Sequence, residues 1–386
     1  MSRAVVIGAG IGGLTAAVAL QRRGWEVTVV ERAPALEVVG SGLAVAPNAL
    51  RVLDRLGLGA TIRELSGLQG AAGIRRPDGR WITRTDASRA RARFGDDTIV
   101  LHRATLVDTL AAGLAPGTLR LGLPASDVDP ATGEVVTAEG PLPADLVVAA
   151  DGLHSRVRGK LFPGYPGPVH TGVTSWRIIV PHPGGSLPQA ETWGAGKVFG
   201  IVEIGDGRVY CYATAPVPPG APGAASAGAA SPGPASAGDD EKAVMLRHFG
   251  GWHAPIPALI AAASSVTRTD IRCLDEPLPA FHAGRVALLG DAAHAMTPNL
   301  GQGACQAIED AAVLAAVDGD VSEYSAQRLP RTTEIARASR RIGRIAGLNN
   351  PVAEWLRNTG MAWAGRLGPD LVLRQMDPVM TWRPPT

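Results

Sequence analysis

Lysine is almost absent from this 386-residue chain: Lys160, Lys197 and Lys242 are the only three. With 37 basic and 35 acidic groups the formal charge is only +2, so there is no basic field that could hold nucleic acid. Abundant alanine and glycine fit a GC-rich genome rather than a binding surface. Cysteine is equally scarce. Cys211, Cys273 and Cys305 are isolated, odd in number and without CxxC spacing, which excludes a disulfide framework and a zinc site and fits a reduced cytosol. The histidines show no metal-ligand spacing either, so no metal is expected. No apolar run approaches the roughly 20 residues that span a bilayer, and the apolar start, residues 4–20, is broken by glycines and lacks a basic leader. The expectation is a cytoplasmic protein with a small-molecule substrate, no nucleic-acid partner and no stable membrane association, as a monomer or a homodimer.

What is present is patterned. Residues 3–7 form a β-branched apolar run, 11–23 read as a helix, and 26–31 form a second run ending in an acid, together a βαβ unit. The glycines of its first turn are spaced for a nucleotide. Gly8 permits the tight turn, Gly10 lets a pyrophosphate approach the backbone at the helix start, Ile11 and Gly12 open the helix, and Gly13 allows close helix–strand packing. Glu31, followed by Arg32, stands where a ribose hydroxyl would be bound.

Further along, a glycine-rich turn at residues 40–42 precedes a helix over 48–58, and residues 100–114 read as another helix preceded by His102 and Arg103. A strand over 145–150 runs into Asp151 and Gly152. From 169 to 215 the period becomes that of strands, with Gly205-Asp206-Gly207 as a hairpin turn, which predicts an antiparallel sheet inserted into an α/β domain. Residues 216–238 are nearly all Pro, Gly, Ala and Ser, a flexible surface loop without chemistry. Strands over 266–274 and 285–290 and a helix over 303–317 follow, then an amphipathic helical segment from 322 to 348 and beyond, expected to pack on its own protein.

Two more motifs choose the nucleotide. Gly290 and Asp291 end a buried strand, where the aspartate can bond a polyol such as a ribityl chain. Pro298, Gly301, Gln302 and Gly303 then open the alanine-rich helix, bringing backbone N–H groups and the positive helix end toward a flat ring that becomes anionic when reduced. Reduced flavin is such a ring.

With these motifs the chain resembles the group A flavoprotein aromatic hydroxylases, the family with the para-hydroxybenzoate hydroxylase fold, in its salicylate, 3-hydroxybenzoate and urate hydroxylase-like branch. Asp151, Gly152, Ser155, Arg156 and Arg158 match the motif tied to FAD and the nicotinamide nucleotide, Gly42 and Leu43 the segment beside the flavin, and Arg103 the arginine that reaches the FAD pyrophosphate. The resemblance implies an α/β fold: a Rossmann-like FAD-binding domain (1–70, 98–168 and 266–325), an inserted antiparallel-sheet substrate domain (71–97 and 169–265, with 216–240 a flexible loop) and C-terminal helices (326–386). It also implies a single-component FAD monooxygenase that takes NADPH or NADH as a transient co-substrate and hydroxylates a small aromatic or heteroaromatic with O2 through a C4a-hydroperoxyflavin. The Arg/Ala-rich composition hints at secondary metabolism.

Around Trp176-Arg177 the chain departs from the branch: Val173 replaces an aromatic and Ile178 a glycine, so no relative's substrate carries over. Tyr210 and Tyr212 share one strand face opposite Cys211 and, with Arg177, are candidates for the substrate pocket. Pro298, Gly301, Gln302 and Gly303 would form the flavin-ring environment. His294 is read as structural or flavin-adjacent in preference to a general base. Epoxidation, Baeyer–Villiger insertion, an FAD-dependent reductase or dehydrogenase, and a non-catalytic FAD-binding module stay open as alternatives.

Overall fold

In the computed structural model, which describes residues 1–36, 41–65, 71–217, 238–368 and 373–385, the β-branched run Arg3–Ile7 is the inner strand of a six-stranded sheet. The order is His282–Ala283, Val286–Leu288, Leu146–Ala149, Arg3–Ile7, Glu26–Val30 and Leu119–Arg120. All neighbours are parallel except the first pair. Strands buried on both faces need apolar residues throughout, and Val5, Val6, Val147, Val148 and Ala287 are all inaccessible. The helix Ile11–Arg22 is buried along nearly its whole length because Gly303–Ala316 covers it.

The second sheet has seven strands, ordered Thr267–Cys273, Val169–Pro181, Arg208–Pro216, Lys197–Ile204, Gln189–Gly194, Ala71–Arg75 and Trp81–Asp86. It is antiparallel apart from the junction of Gln189–Gly194 with Ala71–Arg75. Trp176, Ile178, Phe199, Cys211 and Ala213 face a core closed by Met245, Phe249 and Ile260. Thr267–Cys273, at the start of the segment from 266, is an edge of this sheet, pairing with Val169–Pro181.

One correction concerns residues 100–114, expected to be one helix. Ile99–His102 is a strand paired with Gly42–Val45, and the helix is Arg103–Ala112. The apolar run Ile99-Val100-Leu101 suits a strand, and the His102 ring then accepts from the Ala104 N–H as the helix cap. A three-stranded antiparallel sheet, Ala125–Asp129, Glu134–Thr137 and Gly140–Pro143, was not read from the sequence. Gly40 and most of the 216–240 segment lie outside the described residues.

At the C-terminus Val321–Ala346 packs inward through Tyr324, Arg328, Thr332 and Ile335, whereas Pro351–Leu367 leaves Val352, Trp355, Leu356 and Trp363 exposed. Among the described residues no helix is long and apolar enough to cross a membrane.

Candidate active site

The turn after the first strand is shaped by what side chains would strike. Gly8 has φ +104°, and a Cβ there would lie 2.5 Å from the Ala150 carbonyl oxygen. A Cβ on Gly13 would lie 2.0 Å from the Gly8 oxygen, so helix and strand pack flush only without one. Gly10 differs: nothing lies within 4 Å of its Cβ position, and as N-cap it has no side chain to satisfy the first N–H groups of the helix. Those groups are left to an anion. Glu31 braces the turn, accepting from the N–H groups of Ala9 (2.8 Å) and Ala33 (2.9 Å).

A cavity of about 450 Å³ opens here, lined by Gly8, Gly10, Glu31, Arg32, Arg103, Asp151, Gly152, His154 and Arg156 among others. A second, of about 650 Å³, is lined by Ile11, Gly12, Gly42, Leu43, Gly290, Asp291, Pro298, Gly301 and Gly303 and by the seven-stranded sheet. Gly10, Arg103, Ala150 and Gly152 border both. An elongated ligand can therefore run through the two, with its anionic middle between the Gly10 helix end and the Arg103 guanidinium. Asp151 supports the fit: its Oδ2 accepts from Arg156 N (2.9 Å), while its buried Oδ1 has no partner among the described residues and suits a ligand hydroxyl. At the far end, Gly303–Ala316 begins without a side-chain cap and Gly301 holds φ +62°, so backbone N–H groups are presented to the second cavity.

The sheet supplies the opposite wall. Arg177, Tyr210 and Tyr212 all line the second cavity, and the two tyrosine rings lie 5.8 Å apart, while Cys211 points into the core behind. Gly42 makes room for Tyr210, since a Cβ there would meet the ring at 2.5 Å. Burial raises the Tyr210 phenol, with Arg177 acting in the other direction, and burial and then Glu191 push the Tyr212 phenol well up.

Gly13 packs against Gly8, as its spacing requires, and three expected cofactor contacts, Ser155, Arg158 and Gln302, line neither cavity. Ser155 caps the helix Arg156–Leu161, accepting from Arg158 N at 2.9 Å, and buried Arg158 donates to the carbonyls of Ala292 and Leu153. Gln302 is buried beneath the turn, accepting from Asn48 (3.0 Å) and Gln306 (3.1 Å) rather than facing the cavity. His294 is also turned inward, with Nε2 2.6 Å from Asp310 Oδ2.

These last residues belong to a buried network that sequence reading missed. Arg328 donates to Asp310 (2.6 Å), Glu309 (2.6 Å) and Gln306 (2.7 Å), and Arg331 binds both oxygens of Glu309. Burial alone would raise the Asp310 carboxyl, but His294 and Arg328 outweigh it and bring it from 3.8 to about 2. A folded-state value below the unfolded one stabilises the protein above about pH 4, and that contribution is lost as pH falls toward 2. The unfolding free energy, read from urea midpoints, should therefore drop between pH 4 and 2 by an amount on the order of 2 kcal/mol, and Asp310→Asn should flatten that slope.

A family model described as an FAD binding domain matches residues 1–95 and 262–336. The chain is 39% identical over 369 residues to the aurachin C monooxygenase/isomerase of Stigmatella aurantiaca, covering 92% of each protein. It is 35% identical to the 3-amino-4-hydroxybenzoate 2-monooxygenase of Streptomyces cremeus, over 88% of this chain and 86% of that one. The solved structure of Klebsiella pneumoniae HpxO complexed with FAD and uric acid superposes with a TM-score of 0.86 at 27% identity, over 98% of this chain and 96% of that one. Identity across nearly the full length, with a glycine turn, an arginine and an uncapped helix end lining two adjoining cavities, places this chain in the FAD-dependent monooxygenases of the aromatic hydroxylase family.

Proposed function

We propose that the adenosine half of FAD occupies the first cavity and the flavin ring the second, and that an electron-rich aromatic or heteroaromatic ring carrying N–H or O–H groups is oxygenated between the ring turn and the sheet. The observation that carries this is the sharing of Gly10, Arg103, Ala150 and Gly152 by both cavities, which makes one continuous site. FAD, once reduced by NADPH or NADH, would supply the electrons that activate O2, one atom of which goes to the substrate and the other to water. The rest is the work of this chain's side chains. Gly10 and Arg103 would hold the pyrophosphate, Glu31 and Asp151 the sugar hydroxyls, and Asp291 the ribityl chain. The N–H groups at Gly303 would stabilise negative charge on the ring, and Pro298 and Gly301 would set its plane.

Tyr210, Tyr212 and Arg177 would hold the substrate opposite, while Val100, Val202, Met296 and Ile342 keep that end dry. The relatives' names point to donor-bearing rings, 3-amino-4-hydroxybenzoate in one and uric acid in the other. The buried free cysteines fit a cytoplasmic site of action. The test is turnover of an aromatic panel by the FAD-loaded protein under 18O2. One labelled oxygen in the product and substrate-stimulated NAD(P)H oxidation are expected; anaerobic turnover without label would overturn the reading in favour of a reductase.

A further inference from the structure

On the cavity face of the large sheet, Arg177, Tyr212, Gly200 and Glu191 stand in register on four neighbouring strands. At a spacing of about 4.8 Å per strand, Arg177 and Glu191 are about 14 Å apart along the backbone row, with Tyr212 between them. Gly200 decides what Tyr212 can do. A Cβ there would sit 2.1 Å from the ring carbon Cζ, so the ring lies across Gly200 only because the side chain is missing. Tyr212 Oη thereby reaches over the intervening strand and donates to Glu191 Oε1 at 2.6 Å. Trp193 Nε1 donates to Oε2 at 2.7 Å, and the Trp193 ring is itself stacked against the Arg357 guanidinium, 5.5 Å away.

Those two donors are the side-chain partners of Glu191 among the described residues. Each carboxylate oxygen keeps a further lone pair, and Glu191 borders the cavity. The protein has thus fixed an acceptor at a defined place in a cavity whose lining also includes Arg177, Tyr210 and Trp193. The raised Tyr212 phenol keeps its proton, so Tyr212 serves the carboxylate as a donor and leaves Glu191 as the acceptor facing the pocket.

We propose that Glu191 accepts a hydrogen bond from a ring N–H or O–H of the substrate and so sets a preference for donor-bearing rings. This rests on the aromatic-oxygenation reading above. Accepting such a bond also pushes electron density into the ring, the direction that transfer of an electrophilic oxygen requires.

The experiment uses FAD-loaded protein and two near-isosteric probes: 4(1H)-quinolone, which has a ring N–H, and chromone, which has an oxygen in its place. Dissociation constants come from the change in flavin absorbance. Wild type should favour the quinolone by about 10-fold or more, Glu191→Gln should reduce the preference to about 3-fold or less with chromone affinity little changed, and Tyr212→Phe, which removes one of the two donors that fix Glu191, should lower it by less than Glu191→Gln does. Absence of quinolone binding by wild type, a ratio near one, a ratio unchanged in Glu191→Gln, or a ratio lowered more by Tyr212→Phe than by Glu191→Gln would each overturn the proposal. FAD stoichiometry and circular dichroism establish that each variant is folded. Because the titration reads binding, it is independent of 18O transfer: loss of label in every product removes the oxygenation reading, whereas an absent donor preference removes the role of Glu191 alone.

Discussion

Replacing Arg328 with methionine should lower the unfolding free energy by about 3–5 kcal/mol, read as a shift of the urea midpoint at neutral pH. Arg328 is 1% exposed and its guanidinium binds three side chains of one helix: Gln306, Glu309 and Asp310. Glu309 would keep Arg331, Asn48 and Gln306, but Asp310 would be left with His294 and the Gly290 N–H. The cost is that of an undercompensated buried charge rather than of one lost contact. Adding Asp310→Asn to Arg328→Met should therefore recover a good part of the loss, because it removes the orphan. A single-variant loss below about 1 kcal/mol would show that water reaches the network. The same residues join the turn at Gly290, the start of the ring-facing helix through Gln302, and the C-terminal helix, so FAD retention should weaken along with stability. Trp382, stacked 5.9 Å from Arg328 and 5.4 Å from Arg331, ties the last residues into the same structure.

The parts of this site legible in the sequence are those where one residue type has one physical use. Gly8, Gly10 and Gly13 were readable because a positive φ, an open helix end and a flush helix–strand contact each tolerate little else, and their spacing puts all three in one turn. Strand alternation likewise placed Tyr210 and Tyr212 together and Cys211 behind them. Tertiary partners were not readable. Nothing local marks Glu191 as the carboxylate gripped by a tyrosine two strands away, since that contact depends on a sheet register and on Gly200 lying beneath the ring. Glu309 and Asp310 likewise look like a solvated pair on an alanine-rich helix until Arg328, 18 residues farther on, folds back over them. Ser155, Arg158 and Gln302 show the opposite failure: they sit inside cofactor motifs but hold the motif's backbone in shape. Residues 100–114 misled because the strand Ile99–His102 runs directly into the helix Arg103–Ala112, with no residue between them.

Gly10→Val should yield a folded but colourless protein. The variant isolates ligand binding from folding because Gly10 has φ −76° and ψ 178°, an extended conformation open to any residue, and no atom lies within 4 Å of the new Cβ. Stability without FAD should stay within about 0.5 kcal/mol of wild type, as for a substitution that meets no neighbour and strains no backbone. The valine methyls would instead occupy the mouth shared by both cavities, where the uncapped helix start and Arg103 await an anion. Charge-assisted hydrogen bonds contribute about 1.5–3 kcal/mol each, so losing two should weaken FAD binding by about 100-fold or more, measured by flavin fluorescence on titration into apoprotein. Gly13→Ala provides the contrast. Its Cβ would lie 2.0 Å from the Gly8 oxygen, so helix and strand must part, and this variant should lose stability and FAD together. Yellow, stoichiometrically loaded Gly10→Val protein would move the pyrophosphate away from this turn, and with it the placement of FAD through the two cavities.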